Sequence, residues 1–111
     1  MNENDKTRLR DMLDEAQRIQ KFAAGKTRAD LSQDEMLTYA IIRCLEIIGE
    51  AASQVEATTR NAYPALAWHQ MIGMRNRLIH NYGKVDLDIV WYTVVDVVPQ
   101  LIFAINQILA S

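Results

Sequence analysis

The sequence predicts an all-α fold, an up-and-down bundle of four main helices, and three observations support this prediction. Apolar residues recur at helical spacing over most of the 111 residues. Only four glycines and two prolines interrupt the chain, which favours long helices over many short strands. The length suits one hydrophobic core, so residues 1–111 are predicted to form a single domain.

The first two predicted helices fill the N-terminal half of the chain. The first runs from about residue 4 to residue 23 and ends before Gly25. The second begins at Ser32, which we predict to be its N-cap, and Glu35 three residues later can complete a capping box. Its apolar pattern continues to about Val55.

Two further helices are predicted in the C-terminal half. The third starts between Pro64 and Trp68 and ends near Gly83. The fourth starts at Asp86, and Pro99 is predicted to kink it because the proline ring removes one backbone hydrogen bond. One arc of the fourth helix is predicted to face the core. Its residues are Leu87, Val90, Trp91, Val94, Val95, Val98, Leu101, Ile102, Ile105, Ile108 and Leu109.

Composition and charge exclude several classes of protein. The net charge of −2 and the pI of 5.6 exclude attraction of the whole surface to nucleic acid, so RNA binding would need a local basic patch. The single cysteine, Cys44, cannot form an internal disulfide and is predicted to be a buried small hydrophobe. The N-terminus is polar, and no uninterrupted apolar run approaches about 20 residues. We therefore predict a cytoplasmic protein with no membrane contact.

Polar side chains form a stripe on the second predicted helix. Tyr39, Arg43, Glu46 and Glu50 project within about 60° of one another. One interpretation is a solvent-facing stripe that contains an Arg43–Glu46 ion pair, which would add a few tenths of a kcal/mol. The other is that these groups line a polar groove beside residues 75–80.

The third predicted helix places an arginine on a mainly apolar face. Trp68, Ile72, Arg75, Ile79 and Tyr82 follow a spacing that puts them on one side of a helix. An arginine in such a position must find a carboxylate or phosphate, or extend to solvent.

The histidine in the same segment points in another direction. Asn76 and His80 stack four residues apart, whereas Arg75 and His80 are separated by about 140° on an ideal wheel. Arg75 and His80 could converge only in a cleft that is shared with another helix or with a second copy of the chain.

The sequence offers little support for metal or nucleophile chemistry. His69 and His80 are the only histidines, and on one helix they would lie about 16 Å apart, too far to share a metal ion. No phosphate-binding glycine loop and no nucleophilic serine motif occurs. We therefore predict no metal and no cofactor.

An arginine, a histidine, an asparagine and a tyrosine suit RNA cleavage without metal. Histidine can accept the proton of the ribose 2′-OH near neutral pH, and a fixed guanidinium can stabilise the phosphorane. A second acid is needed for the leaving oxygen, and a two-fold dimer would supply it. From spacing alone, a purely structural helix end is an equally good interpretation.

Residues 68–91, WHQMIGMRNRLIHNYGKVDLDIVW, together with the upstream IIRCLEIIGEAA, resemble the HepT-like branch of the HEPN superfamily. The family carries an R-x4-H-x-Y signature. Arg75, His80 and Tyr82 occupy its fixed positions, and Asn76 fills the polar position after the arginine. The resemblance covers nearly the whole chain.

The resemblance implies an activity and two kinds of partner. Such proteins are typically toxins of prokaryotic toxin–antitoxin pairs, which act as metal-independent endoribonucleases and form homodimers whose third-helix motifs face a common cleft. Their antitoxins are MNT-type nucleotidyltransferases, which can silence the toxin by attaching AMP to the signature tyrosine, here Tyr82. The alternative is a non-catalytic HEPN module that binds nucleotides or a partner.

The resulting site assignment combines the signature with its neighbours. Arg75 and His80 are predicted to be catalytic, and Tyr82 is predicted to accept AMP. Supporting roles are predicted for Asn76, Arg77, Arg43, Glu46 and Glu50. Ile89 and Phe103, on the otherwise polar back of the fourth helix, are predicted to be exposed and to belong to a dimer interface.

Overall fold

A computed structural model describes residues 1–80 and 84–111 of the chain, without the side chains of Arg75, Ile79 and His80. Residues 81–83, which include Tyr82 and Gly83, lie outside the described residues. The first five helices are α1 (Glu3–Ala23), α2 (Arg28–Gln33), α3 (Glu35–Gln54), α4 (Ala57–Ala62) and α5 (Trp68–Ile72). They are followed by α6 (Met74–Leu78), β1 (Ile79–His80), β2 (Lys84–Val85), α7 (Leu87–Tyr92), a π-helical segment (Thr93–Val97) and α8 (Val98–Ala110).

The long helices enclose one hydrophobic core. Helix α1 packs against α3 and α8, and α3 also packs against α5 and α6. The largest fully buried side chains come from these helices, from α7 and from Val55, the residue that follows α3. They are Leu9, Met12, Ile19, Ile41, Leu45, Ile48, Val55, Met71, Met74, Leu78, Val90 and Ile105. The all-α prediction is confirmed, because the described strands amount to one pair of two residues each.

The predicted start of the second helix is wrong. Ser32 lies inside the separate short helix α2, where its hydroxyl accepts a hydrogen bond from Arg28 at 3.0 Å. Asp34 is instead the N-cap of α3, and its side chain accepts from the backbone N–H of Leu37 at 3.0 Å. A carboxylate is at least as good an N-cap as a hydroxyl, so the acceptor two residues further on begins the long helix.

A buried carboxylate on α1 holds the short helix α4 in place. Asp5 is almost fully buried. It accepts from the backbone N–H of Glu56 at 3.2 Å and from the Thr59 hydroxyl at 2.6 Å. These bonds satisfy donors at the start of α4 that would otherwise lack partners.

The third predicted helix is shorter than expected, and its predicted end near Gly83 is wrong. It is divided at Gly73 into α5 and α6 and ends at Leu78. Ile79 and His80 then form β1, which pairs antiparallel with β2. The Leu78 carbonyl accepts from the backbone N–H of Asp86 at 2.9 Å, so the chain returning through β2 ends the helical hydrogen bonding.

The fourth helix begins as predicted. Asp86 is the N-cap of α7, and its side chain accepts from the backbone N–H groups of Asp88 and Ile89 at 3.1 and 3.2 Å. The kink predicted at Pro99 stays a prediction, but a π-helical segment, Thr93–Val97, ends two residues before this proline. Since Pro99 has no N–H, it cannot bond to the carbonyl one turn earlier.

The π-helical segment changes which residues face the core. Val94 and Val98 are buried, but Val95 is 50% exposed, so its predicted place on the buried arc is wrong. A π-helical segment contains a wider turn than an α-helix, which shifts the following side chains around the axis.

The α7–α8 rod is apolar enough to raise the question of a membrane. Leu87–Ala110 spans 24 residues, and its most apolar 18-residue stretch has a mean hydropathy of 1.6 and is one-third buried. Among the described residues it has the length and composition of a membrane span, as the core helix of a globular domain also can. Val90, Val98, Leu101, Ile105 and Ile108 of this rod belong to the core.

Candidate functional site

The signature residues are distributed over two kinds of element. The backbone of Arg75 lies in α6 and that of His80 in β1, while their side chains and all of Tyr82 lie outside the described residues. The expected 140° separation between Arg75 and His80 is wrong, because the two residues do not share a helix. The expected common helical face from Trp68 to Tyr82 likewise ends at Leu78.

Helices α5 and α6 continue one another almost as a single helix. The backbone N–H of Gly73 donates to the His69 carbonyl at 2.9 Å, and that of Arg77 donates to the Gly73 carbonyl at 3.2 Å. One side of this pair is buried and consists of Trp68, Met71, Met74 and Leu78. The opposite side is exposed and carries His69, Gln70, Asn76 and Arg77. The predicted supporting residues Asn76 and Arg77 are therefore available to a ligand in solution.

The predicted supporting residues on α3 divide into two groups. Arg43 and Glu50 form an ion pair at 3.4 Å, with side chains 61% and 62% exposed. The partner of Arg43 in this pair is Glu50, whereas the solvent-facing interpretation named Glu46; exposed pairs of this kind add little stability. Glu46 is partly buried and lies one helical turn before Gly49, on the side of α3 that meets α5.

Gly49 is a site-positioning residue that the sequence analysis missed. A Cβ atom at this position would lie 2.6 Å from the Met71 carbonyl oxygen, which is closer than a real contact allows. The glycine therefore lets the backbones of α3 and α5 approach, and this approach fixes the segment that carries Arg75. The available signal was a glycine in the interior of a long helix, which commonly has a packing reason.

Cys44 takes no part in chemistry at neutral pH. The thiol is buried, and burial together with the neighbouring Glu15 carboxylate raises its pKa to about 12. Glu15 is itself buried and pairs with Arg18. Because the thiolate is the reactive form of cysteine, this environment makes Cys44 a structural residue, as the sequence predicted.

Within the described residues there is no candidate metal centre, and the groove between α8 and the segment after α4 has no charged lining. No three His, Cys, Asp or Glu side chains converge within the described ranges. A groove of about 740 Å³ runs between α8 and the segment after α4, and no charged side chain lines it. Such a surface lacks the groups that bind phosphate, whereas the exposed side of α5–α6 carries an arginine, a histidine and two amides.

The comparisons with known proteins agree on one family. The model of the family described as Ribonuclease HepT-like matches residues 12–108. A protein of Methanocaldococcus jannaschii named as a putative RNase is 36% identical over 84% of this chain and 85% of its own length. A protein of Thermococcus cleftensis named as a probable ribonuclease HepT is 34% identical over 91% of this chain and 92% of its own. No solved structure gives a significant match.

Proposed function

Because the chain belongs to the HepT-like ribonuclease family, we propose that it is a metal-independent endoribonuclease in which Arg75 and His80 carry out the reaction. One observation carries the proposal. The family match spans residues 12–108, and that span contains the intact signature of Arg75, His80 and Tyr82. A protein that only contributed a scaffold would not need this pair of arginine and histidine.

The proposed reaction is an attack of the ribose 2′-OH on the adjacent phosphate. His80 accepts the hydroxyl proton while the bond from the 2′-oxygen to phosphorus forms. Arg75 stabilises the extra negative charge of the phosphorane by paired hydrogen bonds. The bond to the 5′-oxygen then breaks, that oxygen takes a proton, and the products end in a 2′,3′-cyclic phosphate and a 5′-OH.

We propose a homodimer as the active form, because one chain offers a single signature histidine for two proton transfers. The α7–α8 rod exposes apolar side chains that could contribute to an interface. Phe103 is 67% exposed, as predicted, and Tyr92 and Val95 are exposed as well. Ile89 is partly buried against the core, so its predicted exposure is wrong. A sedimentation measurement that finds only monomer at micromolar concentration would contradict the shared cleft.

We further propose that the protein is the toxin of a cytoplasmic toxin–antitoxin pair, silenced by AMP transfer from an MNT-type nucleotidyltransferase to Tyr82. AMP on Tyr82 would add bulk and negative charge at a position close to Arg75 in the sequence. The added negative charge would repel RNA. Intact mass spectrometry after co-expression with such an enzyme should show the added mass of AMP, and Tyr82→Phe should abolish it. An unchanged mass for the parent protein would contradict the modification.

The decisive experiment measures RNA cleavage in buffer that contains EDTA. We expect the parent protein to cleave RNA, and Arg75→Ala and His80→Ala each to lose at least a hundredfold in rate. Arg10→Ala is a matched control, because it removes an exposed arginine from α1, outside the signature. Intact RNA with the parent protein, or full activity in either signature variant, would favour the non-catalytic nucleotide- or partner-binding module.

A further inference from the structure

A polar pocket lies between α4 and the start of α5. Its volume is about 410 Å³, and it is lined by residues of α4, of the following segment and of α5. Its polar side chains are Arg60, Asn61, His69 and Gln70, and no acidic side chain lines it. A pocket with a guanidinium, an imidazole and two amides but no carboxylate suits an anionic ligand.

Arg60 carries a charge that the described part of the protein does not neutralise. Its side chain forms no ion pair within those ranges, and its Nε atom is buried without a hydrogen-bond acceptor. The neighbouring Asp5 carboxylate is already engaged by Glu56 and Thr59. Since Nε is closed to solvent, a phosphate in the pocket would pair with the terminal nitrogens of Arg60 and neutralise its charge.

Two residues that line the pocket, His69 and Gln70, belong to the exposed side of α5–α6. His69 and Asn76 are seven residues apart, or about two helical turns, so they lie on the same side of the pair, and the same holds for Gln70 and Arg77. The backbone of Arg75 is about 9 Å along the axis from that of His69. An RNA strand bound at the signature would have to cross from the α6 backbone at Arg75 to this exposed side before it reached the pocket.

We propose that the Arg60 pocket binds a phosphate of the RNA strand other than the cleaved one, with His69 contributing to the same subsite. The inference rests on the proposed function and deepens it. The subsite makes the substrate an RNA strand longer than a dinucleotide, since a dinucleotide could not occupy both positions. Arg60 then contributes to substrate binding and takes no part in proton transfer.

Binding can be measured by fluorescence anisotropy with a labelled oligoribonucleotide of about ten nucleotides and His80→Ala protein, which cannot cleave the probe. Adding Arg60→Gln should weaken binding about tenfold and make the salt dependence of log Kd shallower by about 0.7. His69→Gln, at an exposed position that can change without loss of fold, should weaken binding about threefold. Arg10→Gln removes the same charge elsewhere and should leave the affinity within twofold.

Two binding results would overturn the subsite. Equal affinity with and without Arg60 would show that no phosphate binds there. Weaker binding with an unchanged salt slope and a lowered melting temperature, without any effect of His69→Gln, would show that Arg60 has only a structural role.

Cleavage kinetics separate failure of the subsite from failure of the proposed function. In otherwise unmodified protein, Arg60→Gln should lower kcat/KM for the long RNA about tenfold and leave the dinucleotide rate unchanged. An unchanged kcat/KM for the long RNA in Arg60→Gln would overturn the subsite and leave the proposed function standing. RNA binding that depends on Arg60, without any cleavage by the parent protein, would overturn the function and leave the subsite standing.

Discussion

The α1–α3–α8 core and the α5–β2 segment, residues 68–85, are built in opposite ways. The core uses helices of 21, 20 and 13 residues, whose apolar sides lie against one another. The described part of the α5–β2 segment, residues 68–80 and 84–85, has two helices of five residues and two strands of two residues. Stability therefore resides in the long helices, whereas Arg75 and His80 lie in short elements, as is common at functional sites.

The two regions meet at Gly49 and Met71, and this contact makes the comparison testable. If the core only supports the site, core substitutions should change stability, while substitutions in the α5–β2 segment should change activity. A change at the contact between them should affect both.

The largest effect concerns the thiol of Cys44. Its raised pKa of about 12, against an ordinary value of 9.0, leaves about a thousandfold less thiolate at pH 8. Iodoacetamide should therefore modify the native protein at least a thousandfold more slowly than the protein unfolded in guanidinium. Because the folded pKa is the higher one, the stability that this group contributes is complete below pH 9 and is lost as the pH rises towards 12. Equal labelling rates in the two states would contradict a closed core.

Truncation in the core should give the largest loss of stability among the substitutions. Ile48 is almost fully buried, so Ile48→Ala should lower the free energy of unfolding by about 2–5 kcal/mol. Ile47→Ala is the matched control, because the same side chain is only partly buried one residue earlier and should lose less. Urea denaturation followed by circular dichroism measures both. Equal losses would mean that Ile48 does not occupy the core position described.

A single methyl group added at Gly49 should disturb the contact between the two regions. Gly49→Ala would force the Met71 carbonyl away, so we expect a loss of about 1–3 kcal/mol and a slower cleavage rate even below the melting temperature. Gly73→Ala is the control for stability, because its Cβ would lie 3.2 Å from the His69 carbonyl oxygen and helix propensity would offset part of the strain. A Gly49→Ala protein with parent stability and parent activity would refute the positioning role.

The smallest effect is expected at the exposed ion pair on α3. Arg43 and Glu50 are both well exposed, so a double-mutant cycle with alanine should give a coupling free energy below about 1 kcal/mol. The pair should weaken further at high salt, since exposed charges are screened. A coupling free energy of several kcal/mol would show that this side of α3 is covered in solution.

The sequence was sufficient for the core and insufficient for the site, for identifiable physical reasons. A uniform helical period over about twenty residues specifies α1, and the Asp86 cap specifies the start of α7. The end of α6 depends instead on Asp86 bonding to the Leu78 carbonyl, a contact between residues eight positions apart. The local pattern cannot reveal that contact. The wrong prediction at Ser32 has a local cause. Ser32 and Asp34 are both adequate N-caps and lie close together, and Asp34 is the one that begins α3.

The proposed chemistry rests on the signature, but the geometry around it depends on packing. The spacing of Arg75 and His80 was available from the sequence, and the family match over residues 12–108 gives that spacing its meaning. Gly49 and the Arg60 pocket lie outside the signature. They become visible only when α3, α4 and α5 are brought together, because each depends on a contact between different elements.

The most direct test of the central proposal is the chemical nature of the RNA ends produced in EDTA. If the 2′-OH attacks with His80 as the base, the products should carry a 2′,3′-cyclic phosphate and a 5′-OH, and a 2′-deoxy substitution at the cleaved nucleotide should stop the reaction. Products that carry a 5′-phosphate and a 3′-OH, or cleavage that survives the 2′-deoxy substitution, would contradict it.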